Sequence, residues 1–172
     1  MGKIRKVENV KLFSGLIAKD KETISITEKK LEKLFGKIDI RSKIIKFTFT
    51  DYYEEEMGKN LLRCWVSFEK PISPEALAEI KIKTNKIENK LADSDNRRIN
   101  IDPGYIDGAK IVLASTKNFS HRIYLSKGIY GEVTSIYRGN KFHFLEWTYP
   151  DYQAEEAISF FLETRNKSLK QK

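Results

Sequence analysis

Residues 61–69, Leu61-Leu62-Arg63-Cys64-Trp65-Val66-Ser67-Phe68-Glu69, alternate between two kinds of side chain along most of their length. Successive side chains of a β-strand point to opposite faces of the sheet, so every second residue shares a face. One predicted face carries Leu62, Cys64, Val66 and Phe68, and the other carries Arg63, Trp65 and Ser67. Pro71 cannot donate a ladder hydrogen bond, so the strand is expected to end before it.

An amphipathic helix is predicted directly after this strand. Ser73 is a favourable N-cap residue, and Pro74 suits the first helical position. The apolar stripe that recurs at helical spacing consists of Leu77, Ile80, Thr84, Ile87 and Leu91. The strand is therefore expected to pack its apolar face beneath this helix.

The alternation of strands and helices extends in both directions. We predict a buried strand at 10–18, a helix that ends at Gly36, an alternating strand at 44–53 and, after the second helix, a strand at 97–102. The resulting βαββαβ order predicts an α+β fold with a ferredoxin-like core.

The first helix has two possible starts, because Thr27 is a candidate cap and a start near Asp20 is also compatible with the pattern. Right-handed crossovers place both helices on one face of the sheet. The opposite face is expected to be either a binding platform or a surface covered by later chain. It carries Phe13, Thr48, Thr50, Arg63, Trp65, Arg98, Asn100 and Asp102.

The later part of the chain predicts a β-rich extension and a closing helix within a single domain, 1–172. Residues 106–115 fit either a short helix or a strand. Three short strands are expected at 121–125, 129–137 and 141–147, with a hairpin turn at 138–140 between the last two. The final helix is expected to begin near Tyr152.

Composition limits the classes of partner and compartment. The net charge of +8 and the pI near 9.4 favour polyanions such as nucleic acid or nucleotides. The single cysteine, Cys64, fits a reducing cytoplasm, and no apolar stretch approaches membrane-spanning length. The scarcity of glutamine beside abundant Lys and Glu favours a thermophilic source.

Two motifs are dense in polar residues and predict a functional site. Asn100-Ile101-Asp102-Pro103-Gly104-Tyr105 is expected to end a strand in a type II turn that projects Asp102 toward a ligand. His121-Arg122-Ile123-Tyr124-Leu125 places an imidazole at the start of another strand. If His121 and Asp102 meet, the carboxylate would orient the imidazole for acid–base catalysis, with Glu132 in support. Metal-ligand spacing is absent, so no metal site is predicted.

The same region predicts binding of phosphate. Arg98, Lys117 and Arg122 are expected to contact phosphate oxygens, and Asn100 and Asp102 to contact sugar or base edges. The remaining predicted ligand-binding residues are Tyr105 and Tyr124. Neither a P-loop nor a Rossmann glycine motif occurs. Phe13 and Trp65 would stack RNA bases if later strands did not bury them.

Six segments together resemble one family of uncharacterised prokaryotic proteins, a domain of unknown function of about this length. They are Val10–Ile17, Thr50–Gly58, Asn100–Tyr105, Ser115–Leu125, Gly128–Thr134 and Trp147–Tyr152. Some members of that family are labelled GTP-binding, and the resemblance therefore implies nucleotide binding.

Three functional hypotheses remain open at this point. The first is a cytoplasmic binding module for a phosphate-bearing ligand, either a nucleotide or RNA. The second is a hydrolase or phosphoesterase that uses His121 and Asp102. The third is an assembly protein whose polar face is an interface. The sequence leaves the cofactor, the oligomeric state and the question of enzymatic activity undetermined.

Overall fold

The computed structural model describes residues 2–94 and 96–170. The predicted domain therefore includes four residues that lie outside the described part: Met1, Asp95, Gln171 and Lys172. The strands are β1 (Lys11–Ala18), β2 (Ile38–Arg41), β3 (Ile45–Lys46), β4 (Leu62–Phe68), β5 (Ile99–Ile106), β6 (Lys110–Ser115), β7 (Ile123–Ser126), β8 (Ile129–Arg138) and β9 (Lys141–Phe144). The α-helices are α1 (Lys21–Phe35), α2 (Glu54–Met57), α3 (Leu77–Leu91) and α4 (Glu155–Lys170).

The strands form one sheet in the order β2-β4-β1-β5-β6-β8-β7, with β3 beside β4 and β9 beside β8. The pairings are antiparallel throughout the described sheet. The predicted α+β class is confirmed. The strands β2-β4-β1-β5, with α1 after β1 and α3 after β4, are compatible with the expected βαββαβ unit, and the finer ferredoxin-like assignment stays a prediction.

Helices pack on both faces of the sheet. Buried side chains of α1 and α3, including Leu31 and Ile80, pack on the face that carries Cys64 and Val66. Helix α4 packs on the opposite face, where Phe161 contacts Trp65. Since Trp65 and Phe13 are each 0% exposed, the second face is covered and cannot serve as an open platform for stacking bases.

The structure decides between the two starts predicted for the first helix and corrects the start of the second. Helix α1 begins at Lys21, where the Asp20 side chain accepts a hydrogen bond from the Thr23 amide at 2.7 Å. Thr27 lies inside the helix and donates to the Thr23 carbonyl instead of capping. The earlier of the two starts left open by the sequence is therefore correct. Ser73 precedes a 3-10 turn, Pro74–Ala76, and the α-helix itself begins at Leu77.

The predicted strand at 44–53 is wrong for most of its length. Only Ile45–Lys46 pairs with β4, and the segment then leaves the sheet. The Phe47 amide still donates to the Leu61 carbonyl at 2.8 Å, but its side chain packs with Ile17 and Met57 in a separate small cluster, and this packing explains the alternating apolar pattern. The second strand of the core is the shorter β2.

The predicted turn at Asp102-Pro103-Gly104-Tyr105 is also wrong, because β5 runs straight through it and pairs with β1 along its whole length. A Cβ on Gly104 would lie 2.5 Å from the Val112 carbonyl oxygen and 2.6 Å from the Phe13 ring. The glycine therefore permits a close approach of neighbouring chain segments, not a turn.

The C-terminal part follows its prediction more closely. Residues 110–115 form a strand, so the strand is the correct one of the two structures, helix or strand, that the sequence allowed for 106–115. In the turn between β8 and β9, Gly139 and Asn140 have φ of 58° and 60°, as a type I′ hairpin requires. Tyr152 lies in a 3-10 turn, Pro150–Gln153, just before α4. Within the described part of the chain, no helix is both long and apolar enough to cross a membrane.

Candidate functional site

A cavity of about 450 Å³ lies beside the middle of the sheet. Its walls come mainly from β4, β5 and β6, from residues 47, 49, 50, 52 and 53, and from the segment 149–152. The cationic side chains that line it are Arg63, Lys81, Arg97, Lys117 and Arg122. The carboxylates that line it are Asp102, Glu132 and Asp151, and its aromatic rings are Phe47, Phe49, Tyr52, Tyr53, Tyr149 and Tyr152. This volume falls within the roughly 300–1,000 Å³ of typical small-molecule sites.

Arg63 is the most deeply buried charge in the cavity wall, with a side chain only 1% exposed. Its Nη2 lies 2.8 Å from Asp151 Oδ2, and its Nη1 lies 3.7 Å from Asp102 Oδ2. The guanidinium also packs over Trp65 and Tyr152, 4.5 and 5.2 Å from their ring centres. Gly15 on β1 leaves room for it, since a Cβ there would lie 2.8 Å from Nη2.

Several donors around Arg63 are unused. Its Nε and Nη1 atoms and the Tyr152 hydroxyl are buried and have no hydrogen-bond partner among the residues that the structure describes. Burial alone would lower the pKa of Arg63, but Asp151, Tyr152 and Asp102 raise it, so the guanidinium stays charged. A buried, charged and incompletely paired guanidinium beside a cavity is a site at which a ligand acceptor would gain hydrogen bonds.

Asp102 lies between cationic and amide donors. Its Oδ2 accepts a hydrogen bond from Asn100 Nδ2 at 2.8 Å, and its Oδ1 lies 4.0 Å from Lys81 Nζ. Arg97 donates to Asn100 Oδ1 at 2.9 Å and makes two hydrogen bonds to the Glu56 carboxylate. A chain of hydrogen bonds thus runs from Glu56 to Asp102 and fixes the position of the carboxylate.

The mouth of the cavity carries a second set of cations. Lys117 Nζ donates to the Tyr52 hydroxyl at 2.7 Å. Arg122 is more fully engaged, because it donates to Glu132 Oε2 at 2.7 Å, to the Lys117 carbonyl and to the Tyr149 hydroxyl. Lys117 is therefore the more available of the two for an anionic ligand.

Burial changes the protonation behaviour of several groups in the wall. It raises the pKa of Asp151 despite the opposing effect of Arg63, and the nearby Asp102 raises it further. Burial also raises the pKa values of Tyr53, Tyr149 and Tyr152, so each keeps its phenolic proton as a hydrogen-bond donor. Across residues 2–94 and 96–170, no group of three or more His, Cys, Asp and Glu side chains is arranged to hold a metal ion.

The structure brings five of the predicted site residues to this cavity, and they are Asn100, Asp102, Lys117, Arg122 and Glu132. The other four lie elsewhere. Arg98 is exposed and contacts Thr23, Tyr105 packs near the start of α3, and Tyr124 is exposed on the edge strand β7.

His121 is the fourth residue outside the cavity wall. Its Nε2 lies 3.2 Å from Glu132 Oε2, and its ring stacks on Trp147 at 4.7 Å. Among the described residues, no hydrogen bond or ion pair joins it to Asp102. The expected His121–Asp102 pair does not form, because Asp102 is engaged by Asn100 and the imidazole by Glu132.

Sequence reasoning missed the deepest residues of the cavity. The alternation places Arg63 only on a sheet face, although a charged residue in a mostly apolar strand is a usable signal for a buried functional group. Lys81 lies four residues after Leu77 and three before Thr84, which places it on the buried stripe of α3. Asp151 and Tyr152 follow Pro150 in a turn and offered no periodic signal.

The fold and the cavity define a small α+β protein with a polar, partly enclosed cavity beside its sheet. The chain belongs to the family Domain of unknown function (DUF4416), whose family model matches residues 8–167. The matched segment contains every residue that lines the cavity. No curated protein and no solved structure matches the chain.

Proposed function

We propose that this protein binds a small phosphate-bearing ligand of nucleotide size in the central cavity. The observation that carries the proposal is the set of unused donors on Arg63 and Tyr152, two fully buried residues that line a cavity of about 450 Å³. Buried donors without partners are rare in folded proteins, and a ligand acceptor would satisfy them.

The charge of the cavity wall supports a phosphate group. Five cationic side chains and three carboxylates line the cavity, so an anion would enter a net positive environment. Within the described part of the chain, Lys117 at the mouth has no carboxylate within ion-pair distance and donates only to the Tyr52 hydroxyl. Its ammonium group is therefore placed to bind phosphate oxygens.

The shape of the site favours a small molecule over RNA. The Trp65 and Phe13 rings that would have stacked bases on an open sheet are covered by α4. Aromatic rings remain available in the cavity wall, where Tyr52 is 61% exposed and Tyr53 packs against it. Such rings stack well on a nucleobase, which supports a mononucleotide as the ligand.

The test is isothermal titration calorimetry with the four ribonucleoside 5′-monophosphates and with inorganic phosphate. Lys117→Gln removes the proposed phosphate contact from an exposed position, and Lys33→Gln on the exposed face of α1 is the matched control. We expect Lys117→Gln to weaken binding by about tenfold or more, because hydrogen bonds to charged groups contribute about 1.5–3 kcal/mol. The proposal is rejected if none of these ligands binds, or if the two variants bind equally well.

A second candidate function, phosphoester hydrolysis, rests on two carboxyl groups in unlike surroundings. Asp151 is 6% exposed with a raised pKa, whereas Asp102 is 27% exposed and hydrogen-bonded to Asn100. Two carboxyl groups in such different surroundings can act as the general acid and the general base of one site. Release of inorganic phosphate from nucleoside monophosphates by the wild type, lost in Asp102→Asn, would support hydrolysis, and no release would reject it.

A further inference from the structure

We infer that the inner end of the cavity binds the sugar of the ligand and that Asp102 determines specificity for its hydroxyl groups. This inference rests on the proposed function. We define the inner end by Arg63, Lys81, Asp102, Asp151 and Tyr152, which lie around the buried guanidinium.

The inner end is balanced in charge. It contains two cations and two carboxylates, and Arg63 lies 2.8 Å from Asp151 and 3.7 Å from Asp102. A phosphate group would meet the carboxylates as well as the cations, so it would gain little there. The mouth, where Lys117 lacks a carboxylate partner among the described residues, is the better place for the anion.

The inner end also offers both kinds of hydrogen-bonding atom. Arg63 Nη1 and the Tyr152 hydroxyl are donors without partners, and both side chains are at least nine-tenths buried. Asp102 provides an acceptor, since its Oδ1 has a cation only at 4.0 Å and its side chain is 27% exposed. A sugar hydroxyl donates one hydrogen bond and accepts others, and it therefore fits this combination better than a purely anionic group does.

Asp102 is held in place before any ligand binds. The chain of hydrogen bonds from Glu56 through Arg97 and Asn100 ends on its Oδ2, and Oδ1 accepts no hydrogen bond among the described residues. A preorganised acceptor loses little conformational entropy on binding, which favours discrimination between ligands with and without a hydroxyl donor.

The experiment compares the four ribonucleoside 5′-monophosphates with their 2′,3′-dideoxy counterparts by calorimetry at neutral pH. We expect the wild type to bind the best ribonucleotide at least tenfold more tightly than its dideoxy form. Asp102→Asn and Tyr152→Phe should each reduce that ratio at least threefold, because each weakens binding of the ribonucleotide more than binding of the dideoxy form. Asp51→Asn, an exposed aspartate outside the cavity wall, is the control and should keep the full ratio.

The outcomes separate the two proposals. Equal binding of the ribose and dideoxy forms by the wild type overturns the sugar assignment and leaves phosphate binding intact. Discrimination that persists in both Asp102→Asn and Tyr152→Phe also overturns it, because the hydroxyls would then lie elsewhere. Binding of neither form overturns both proposals. If Asp102→Asn fails to fold, Tyr152→Phe decides the test. The Tyr152 hydroxyl has no hydrogen-bond partner among the described residues, so its removal should not prevent folding.

Discussion

Lys11 and Arg63 are two buried cations on the neighbouring strands β1 and β4, and they differ in how completely their donors are used. Each side chain is 1% exposed, and each pairs with an aspartate that is 6% exposed. Lys11 donates to Asp39 at 2.6 Å and to the Phe68 carbonyl at 2.7 Å. Arg63 donates to Asp151, but its Nε and Nη1 have no hydrogen-bond partner among the described residues.

The two aspartates show the same difference. Burial would raise the pKa of Asp39, but hydrogen bonds from Lys11, Ser67 and Lys167 outweigh it and hold the pKa below its usual value. Asp151 has fewer compensating contacts, and burial raises its pKa. Two ion pairs that are buried to the same extent can therefore have different roles. A saturated pair stabilises the fold, whereas an unsaturated pair beside a cavity is suited to binding a ligand.

The largest effect is expected from breaking the saturated pair. Asp39→Ala leaves the Lys11 ammonium buried with only the Phe68 carbonyl as its acceptor. Removing one partner of a buried ion pair costs about 3–5 kcal/mol. Urea unfolding should show this loss in the free energy of unfolding, against almost no change for the exposed control Asp51→Ala. A loss below about 1 kcal/mol would contradict a structural role for the pair.

The next effect concerns the space that Gly15 leaves for Arg63. A Cβ in Gly15→Ala would lie 2.8–3.0 Å from three guanidinium atoms, and moving them would disturb the Asp151 ion pair and the packing on Trp65. Overpacking of this kind costs about 1–3 kcal/mol. Gly131→Ala is the control, because the three atoms nearest the added Cβ belong to the half-exposed Leu125 side chain, at 3.3–3.4 Å.

A double-mutant cycle in urea sharpens this result. The cost of Gly15→Ala should fall when Arg63 is first replaced by Met, because the two residues are in contact. Additive costs would show that the contact between Gly15 and Arg63 is not the source of the destabilisation.

A smaller effect separates used from unused hydroxyl groups. Ser67 donates to Asp39 Oδ1 at 2.7 Å, so Ser67→Ala should cost about 1–3 kcal/mol. Tyr152→Phe removes a hydroxyl without a partner in the described structure and should change the free energy of unfolding by less than about 0.5 kcal/mol. Similar losses in the two variants, measured by urea unfolding without ligand, would show that the Tyr152 hydroxyl is satisfied in solution.

Local patterns predicted the elements of the core well. Alternation of apolar and polar side chains predicted β4, and an apolar stripe at 3.6-residue spacing predicted α3. Both patterns arise because one face of the element is buried. The same logic failed at Phe47 and Phe49, whose alternation reflects packing in a small cluster outside the sheet. It failed again at Gly104, where the need for glycine comes from the Phe13 ring and the Val112 carbonyl, both distant in sequence.

The candidate site was only partly predictable for a related reason. Polar motifs identified Asp102, Lys117 and Glu132, which do line the cavity. They could not identify the pairing of Arg63 with Asp151, since it depends on how the segment before α4 folds back over the sheet. The density of polar residues in the motifs identified the part of the chain that lines the cavity. The hydrogen-bond and ion-pair partner of each side chain is set by tertiary packing.

The smallest expected effect is on the pH dependence of stability. As the pH falls, the contributions of Asp39 and Asp151 to the free energy of unfolding should change in opposite directions. Asp39 has a lowered folded-state pKa, so its stabilisation is present above its usual pKa of 3.8 and is lost as the pH falls through the folded-state value. Asp151 has a raised folded-state pKa, so its ionisation opposes folding at neutral pH. That penalty disappears as the pH falls through its folded-state pKa toward 3.8.

Urea unfolding of the wild type, Asp39→Asn and Asp151→Asn between neutral pH and about pH 3 measures both trends. The advantage of the wild type over Asp39→Asn should shrink as the pH falls through the lowered pKa of Asp39, whereas its advantage over Asp151→Asn should grow as the pH falls through the raised pKa of Asp151. Parallel changes in the two differences would contradict the distinction between the saturated and unsaturated pairs. Opposite changes would support it even if ligand binding by the cavity were disproved, because the titration depends only on the contacts of each carboxyl group in the folded chain.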